Sequence, residues 1–273
     1  MSETQTYQFL KMHGLGNDFV IFDARENDLN LSDDQVRMIA NRKRGVGFDQ
    51  LILLRNSDQA DVFMEIRNAD GSRVEACGNA TRCVGQIILD EKSLTSISIE
   101  TDAGLLSAKT SALGISVNMG PANTEWQAIP LAAKMDTLQV DFTLGALSTP
   151  VCVNMGNPHA VFFVDDVNGI DLETLGPQIE HHPLFPERVN VSIASVNGQE
   201  IRQRVWERGV GITEACGTGA CAGAVAAIRR NMIEGRKATV LLDGGPLEIE
   251  WMGDNSVQMT GSATLAFKGE IDL

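Results

Sequence analysis

The tetrapeptide Glu-Ala-Cys-Gly occurs twice, at Glu75–Gly78 and Glu214–Gly217, which sets Cys77 and Cys216 139 positions apart. Each copy leads into a run of small residues that reads as a helix, so each cysteine stands at a helix start. There the positive end of the dipole favours thiolate and lowers the thiol pKa. Gly78 and Gly217 follow at once and leave backbone N–H groups open to an anion. Two such thiols suit inversion at the α-carbon of an amino acid. One removes the proton and the other delivers a proton to the opposite face. The carboxylate gains charge as the carbanion forms, and helix-start amides stabilise it without reorganising. Because the α-proton is far less acidic than a thiol, this chemistry requires water to be excluded and the carboxylate held tightly.

The other cysteines read as core. Cys83 and Cys221 lie six and five residues past the repeated cysteine, so they project about 240° and about 140° around the helix from it. Cys152 follows Pro150 in a β-type run. The C-x5-C and C-x4-C spacings are wider than a zinc knuckle, and His181-His182 sit far from any cysteine, so no metal is expected. There is no C-x-x-C redox pair. Gly14-Leu15-Gly16 and Gly217-Thr218-Gly219 both lack the third glycine of a dinucleotide loop.

The elements that position these cysteines also come in two copies. Gly16-Asn17 and Gly156-Asn157 lie 140 apart, each before an apolar run ending in Asp, and Gln50 and Asn190 are 140 apart beside apolar runs. Asn68 and Glu207 each stand nine residues before their cysteine. Collinear anchors at nearly one offset indicate a duplicated unit: residues 1–120, then 121–262, with 263–273 returning to pair with the first domain. Short β-type runs recur at Phe9–Met12, Val20–Phe22, Leu51–Leu54, Val62–Ile66, Ile97–Glu100 and Ile115–Met119. Ser32-Asp33-Asp34-Gln35 predicts a capped helix through about Asn41. Apolar stripes at Ala80, Val84, Ile87, Ile88 and at Cys221, Val225, Ile228, Met232 predict helices after the two cysteines. Each half is sheet around a helix, and two-fold duplication would bring both thiols to one cleft.

The chain has 273 residues, enough for one large or two smaller domains, and 43% hydrophobic residues supply a core. Its 36 acids against 22 Lys and Arg give a net charge of −14, which argues against a nucleic-acid partner and suits a small zwitterionic or cationic ligand. The polar N-terminus is not expected to be a signal peptide, and no apolar run reaches bilayer length, so no membrane is expected. Five cysteines without a secretory signal are expected to be reduced, in the cytoplasm.

At this point the segments Asn68–Arg82, Glu207-Arg208-Gly209 with Glu214–Cys221, His13–Phe19 and Gly156–His159 resemble the motifs of the diaminopimelate epimerase family across essentially the whole chain. The resemblance implies two pseudo-symmetric α/β domains, each a β-barrel-like sheet around a central helix, with the active site in the interdomain cleft. It implies interconversion of LL- and meso-2,6-diaminopimelate without pyridoxal phosphate, metal or any other cofactor, in lysine and peptidoglycan precursor synthesis, by a homodimer. Cys77 would be the proton donor and Cys216 the acceptor in the LL-to-meso direction. Gly78, Asn79, Gly217 and Thr218 would hold the reacting carboxylate. Asn17, Gln50, Asn68, Asn157, Asn190, Glu207 and Arg208 would contact the substrate, and His159 and Glu207 would influence catalysis. Arg208 is expected to pair with the distal carboxylate and Glu207 with the distal ammonium. Where the family often has a tyrosine in the closing strand, this chain has Phe267.

Overall fold

A computed structural model describes residues 5–27 and 29–273. The chain forms two compact units: the first runs to Val117 and regains Gly261–Leu273, and the second is Asn118–Thr260.

In the first unit the order is β1 (Thr6–Gly14), β2 (Asn17–Asp23), α1 (Asp33–Ala40), β3 (Gln50–Arg55), β4 (Val62–Asn68), β5 (Arg73–Val74), α2 (Gly78–Lys92), β6 (Ser96–Thr101), β7 (Gly104–Ser111) and β8 (Gly114–Pro121), which carries the chain out. The second unit has a hairpin, β9 (Thr143–Leu144) and β10 (Leu147–Ser148). Then come β11 (Val151–Asn154), β12 (Pro158–Phe163), α3 (Leu172–Glu180), β13 (Asn190–Asn197), β14 (Glu200–Glu207) and β15 (Gly211–Thr213). The unit continues with α4 (Gly217–Arg229), β16 (Lys237–Leu242), β17 (Gly245–Trp251) and β18 (Ser256–Gly261), after which β19 (Thr264–Asp272) rejoins the first unit.

Strand pairing repeats the duplication. β1 and β2 pair antiparallel, β2 and β3 parallel, β3 and β4 antiparallel, β4 and β6 parallel, β6 and β7 antiparallel. The second unit pairs β11 through β14, β16 and β17 in the same sequence of senses. Register agrees as well: Phe19 lies opposite Gln50 in one unit, and His159 opposite Asn190 in the other.

The physical reason for the central helices is visible in their composition. β2 and β3 are apolar on both faces, because alternate residues of a strand point to opposite sides. Val20, Phe22, Leu51 and Leu53 pack with Val36 and Ile39 of α1. Phe19, Ile21, Ile52 and Leu54 on the opposite face are also buried. α2 lies against β1, β6 and β7, and α4 against β11–β14, β16 and β17. A helix buried on all sides must be small or apolar throughout. α4 meets this with Gly217, Gly219, Ala220, Ala222, Gly223, Ala224, Ala226 and Ala227, all buried.

The helix after Cys216 ends at Arg229, so Met232 does not belong to its stripe and is exposed. Ile87 is half-buried while Ile88 and Leu89 fill the core. The predicted cap of α1 is present: Gln35 N–H donates to Ser32 Oγ (3.3 Å), and Ser32 N–H donates to Gln35 Oε1 (2.9 Å). No helix is long and apolar enough to cross a membrane among the described residues.

Candidate active site

In the first unit, Asn17 opens β2, Gln50 opens β3 and Asn68 closes β4. Since β2 and β3 run parallel and β4 antiparallel to them, all three side chains gather at one end of the sheet. Gln50 and Asn68 are cross-strand partners, and Gln50 Nε2 donates to Asn68 Oδ1 (3.3 Å). Asn68 Nδ2 donates to Ser72 Oγ (3.0 Å), which steadies the turn whose Gly71 has φ +92°. Gln50 Oε1 is buried and unpartnered, an acceptor open to a ligand donor. Cys77 is the N-cap residue of α2, half-buried, with Gly78 the first helical residue. Buried Asn79 ties the helix start to the strand end by donating from Nδ2 to Asn17 Oδ1 (3.2 Å).

The second unit builds the equivalent group. Asn157 immediately precedes β12, Asn190 opens β13, Glu207 closes β14 and Cys216 is the N-cap of α4. The Gly-Asn turns match, with Gly16 at φ +91° and Gly156 at φ +92°, a left-handed backbone that favours glycine. Gly219 N–H donates to Cys216 Sγ (3.3 Å), and the Thr218 hydroxyl lies 3.5 Å from the same sulfur. Gly217 is buried beside them.

The Cys216 thiol departs from the expected depression. Burial pushes its pKa well above the ordinary value, and the Glu207 carboxylate, hydrogen-bonded to it, pushes it further; the Thr218 and Gly219 donors act the other way and are outweighed. Cys216 is only 4% exposed, so desolvation of the charged form dominates over the helix start. Cys83 and Cys152, buried, are pushed up to about 12, as inert core thiols should be.

Glu207 accepts from the Thr213 hydroxyl and lies at the Cys216 thiol rather than remote from it. Arg208 Nη1 donates to Glu187 O (3.0 Å). Asn190 is 2% exposed, donates from Nδ2 to Pro158 O (2.8 Å) and accepts the Arg208 N–H at Oδ1 (2.9 Å), so its amide holds main chain. His159 is fully buried, with Nε2 2.8 Å from Asn157 Oδ1. Burial, reinforced by the Arg208 charge, lowers its pKa to about 3, so the imidazole is neutral and donates from Nε2 to orient Asn157.

Two positioning groups carry no motif signal. Asp49 Oδ2 accepts from Asn17 Nδ2 (3.0 Å) and from Asp18 N–H (3.1 Å), and Arg42 bridges Asp18 and Asp49. Buried Gln203 donates from Nε2 to Gly219 O (2.8 Å) in the first turn of α4 and to Ser192 Oγ (3.1 Å). Neither has a counterpart of its own type at the repeat offset, the one signal that could have drawn notice to it. No group of three or more His, Cys, Asp or Glu among the described residues could hold a metal ion.

Solved structures define the class of fold. The chain superposes on a Bacillus anthracis phenazine biosynthesis protein of the PhzF family with a TM-score of 0.68 at 17% identity, covering 98% of this chain and 99% of that one. It superposes on a hydroxyproline epimerase from Agrobacterium vitis with a TM-score of 0.68 at 16% identity, covering 100% and 94%. These chains share one α/β fold. Sequence narrows the assignment. The pattern of the family described as diaminopimelate epimerase matches residues 9–125 and 151–266. Diaminopimelate epimerases of Rhodospirillum centenum and Zymomonas mobilis are 54% and 50% identical, covering 97% and 98% of this chain and 92% and 98% of those proteins. The chain belongs to the diaminopimelate epimerase family and is an isomerase.

Proposed function

We propose that the protein interconverts LL- and meso-2,6-diaminopimelate, with Cys77 and Cys216 as the two acid/base groups. The observation that carries this reading is their equivalence: each is the N-cap of the central helix in one copy of a duplicated fold. In the LL-to-meso direction Cys216 accepts the α-proton and Cys77 delivers one to the opposite face; in reverse they exchange roles. Cys216 rests as a thiol, so it becomes a base by passing its proton to Glu207, which already accepts its hydrogen bond.

The helix-start N–H groups at Gly78, Asn79, Gly217 and Thr218 hold the reacting carboxylate and take up its developing charge. Asn17, Gln50, Asn68 and Asn157 supply amide contacts to the substrate. Arg208 takes the distal carboxylate, while Glu207, in contact with Cys216, serves the reacting end rather than the distal ammonium. Asn190 acts through the Arg208 main chain. Side chains suffice for every proton transfer, so the reaction needs no cofactor, and the product feeds lysine and peptidoglycan precursors. We read the protein as a cytoplasmic homodimer. Exposed Leu265 and Phe267 on β19 support self-association, and five cysteines outside any disulfide suit a reducing compartment. Light scattering coupled to size exclusion checks the dimer.

The deciding experiment incubates the protein in D2O with LL-diaminopimelate and, separately, with L-proline. Deuterium should enter the α-position of diaminopimelate, and Cys77→Ser and Cys216→Ser should each slow epimerisation by roughly 10²- to 10⁴-fold. Deuterium in proline alone overturns the substrate. Full activity in both variants overturns the two-thiol mechanism.

A further inference from the structure

The segment Trp206-Glu207-Arg208-Gly209 leaves the end of β14 and carries two of the proposed substrate-side groups. It is held from outside any motif by Glu180, the last residue of α3, which is 2% exposed. One Glu180 carboxylate oxygen accepts the Trp206 indole N–H (2.7 Å); the other accepts the Gly209 N–H (2.9 Å) and lies 3.4 Å from the Arg188 guanidinium. The acid thus brackets Glu207 and Arg208, binding the residue before them and the residue after them. Asn190 holds the main chain between, through the Arg208 N–H.

The local sequence is shaped to this clamp. A Cβ at Gly176 of α3 would come 2.6 Å from the Trp206 ring, so glycine is what lets the indole approach the helix. Gly209 has φ +77°, the left-handed backbone that aims its N–H back at Glu180. A buried carboxylate at a helix C-terminus opposes the helix dipole and is costly to desolvate, so helix stability does not account for it. The first unit performs the same task with the charge reversed. There Arg67 takes the place of Trp206 in the repeat, and its guanidinium donates to Gly71 O (2.8 Å), Leu31 O (3.3 Å) and Asp33 at the start of α1. In both copies the turn after the substrate-side strand end is tied to the preceding helix by one buried ion.

We infer that Glu180 is a positioning residue for substrate recognition, fixing the Trp206–Gly209 turn so that Arg208 presents its side chain in one geometry. The inference rests on the assignment of Glu207 and Arg208 to the diaminopimelate site. Glu207 keeps its own tethers, the Thr213 hydroxyl and the pairing with Gly211, so loss of Glu180 falls on Arg208 at the distal carboxylate, and on KM more than on kcat.

The test compares Glu180→Gln, Arg188→Gln and Arg208→Gln with the parent protein in epimerisation of LL-diaminopimelate, and follows Trp206 emission with Trp126 and Trp251 replaced by Phe. Glu180→Gln should raise KM about tenfold with kcat within about threefold, and shift the Trp206 emission. Arg188→Gln changes a half-exposed side chain that lies outside the proposed site, and it should move KM in the same direction by a smaller factor. Arg208→Gln should raise KM at least as much as Glu180→Gln. If Arg208→Gln raises KM while Glu180→Gln and Arg188→Gln change only the melting temperature, the positioning role is wrong and the site assignment stands. If Arg208→Gln leaves KM unchanged, the site assignment itself fails and the inference falls with it.

Discussion

At the scale of single residues, the two cysteines occupy equivalent places in the chain and unequal electrostatic surroundings. Cys77 is half-buried at the start of α2, whereas Cys216 is buried against a carboxylate that holds its proton. Thiolate is the species that alkylates. Iodoacetamide at pH 8 should therefore modify Cys77 at least about tenfold faster than Cys216, as peptide mass spectrometry over time would reveal. Glu207→Gln removes the charge that raises the Cys216 pKa and should speed alkylation at Cys216 by roughly three- to tenfold, even as turnover falls. Equal rates at the two thiols in the parent protein would refute this account of the asymmetry. His159 makes a second prediction through linkage. Its folded pKa of about 3 lies below the ordinary 6.5, so between those values the unfolded chain binds a proton that the native state does not. Stability is then fully present above about pH 6.5 and is lost as pH falls through that window, with a slope of up to about 1.4 kcal/mol per pH unit. His159→Gln keeps a donor for Asn157 and removes the titration. Urea melts at pH 7 and pH 5 should show a smaller loss of stability in the variant than in the parent, and equal losses would show that His159 is not the group responsible.

At the scale of elements, the central helices work by being thin. Gly223 of α4 sits where a Cβ would come 1.9 Å from Gln203 Oε1, and Gln203 is the fully buried side chain that also holds Gly219 O beside Cys216. Helix propensity alone makes Gly223→Ala stabilising by about 1 kcal/mol. Overpacking against a buried, hydrogen-bonded amide costs about 1–3 kcal/mol and displaces the acceptor end of Gln203. Gly223→Ala should therefore lower the denaturation midpoint and slow epimerisation; a raised midpoint with full activity would show that the site relaxes freely. This packing also explains what the sequence disclosed and what it withheld. The capped α1, the strand cores and the two cysteine helices were legible because caps, alternation and a near-constant repeat offset are local or self-referential signals. α3 was not, since Gly176-Pro177 reads as a breaker, yet Gly176 is there to admit the Trp206 ring and the helix tolerates Pro177. The β7 strand has few apolar residues because it is largely exposed, so its alternation is faint. Among site residues, Asn17, Gln50, Asn157 and Asn190 announced themselves as repeat partners. That Asn190 holds main chain, that Glu207 sits on a thiol and that Cys216 keeps its proton all depend on burial and on partners distant in sequence. Spacing carries no information about desolvation.

At the scale of the whole molecule, the second copy is inserted between β8 and β19, so the first unit is completed only when the chain returns. β19 pairs antiparallel with β1 from Thr6 opposite Asp272 to His13 opposite Thr264, with one irregularity between Lys11 and Met12. The return is closely fitted. A Cβ at Gly269 would come 2.5 Å from the Phe9 ring, and the exposed Phe267 ring stacks edge-on against Phe9 at 6.1 Å. Buried Arg82 of α2 donates to Ser262 O (3.2 Å), which ties the helix of Cys77 to the segment that leads into β19. β1 also bears Lys11, which donates to Asp18 (2.6 Å) in the network behind Asn17. Closing so long a loop costs only a few kcal/mol more than closing a short one, because the entropy grows with the logarithm of length. A nine-residue strand that buries Phe9 and pairs a full ladder offsets it. Deleting residues 263–273 should therefore leave β1 as an unpaired edge, with faster amide exchange across Thr6–Gly14 and through α2, while β11–β14 keep their protection. The bared edge should also promote association, visible as increased light scattering. Unchanged protection in β1 after the deletion would show that the first unit is complete without its returning strand, and that β19 serves only the exposed face it presents.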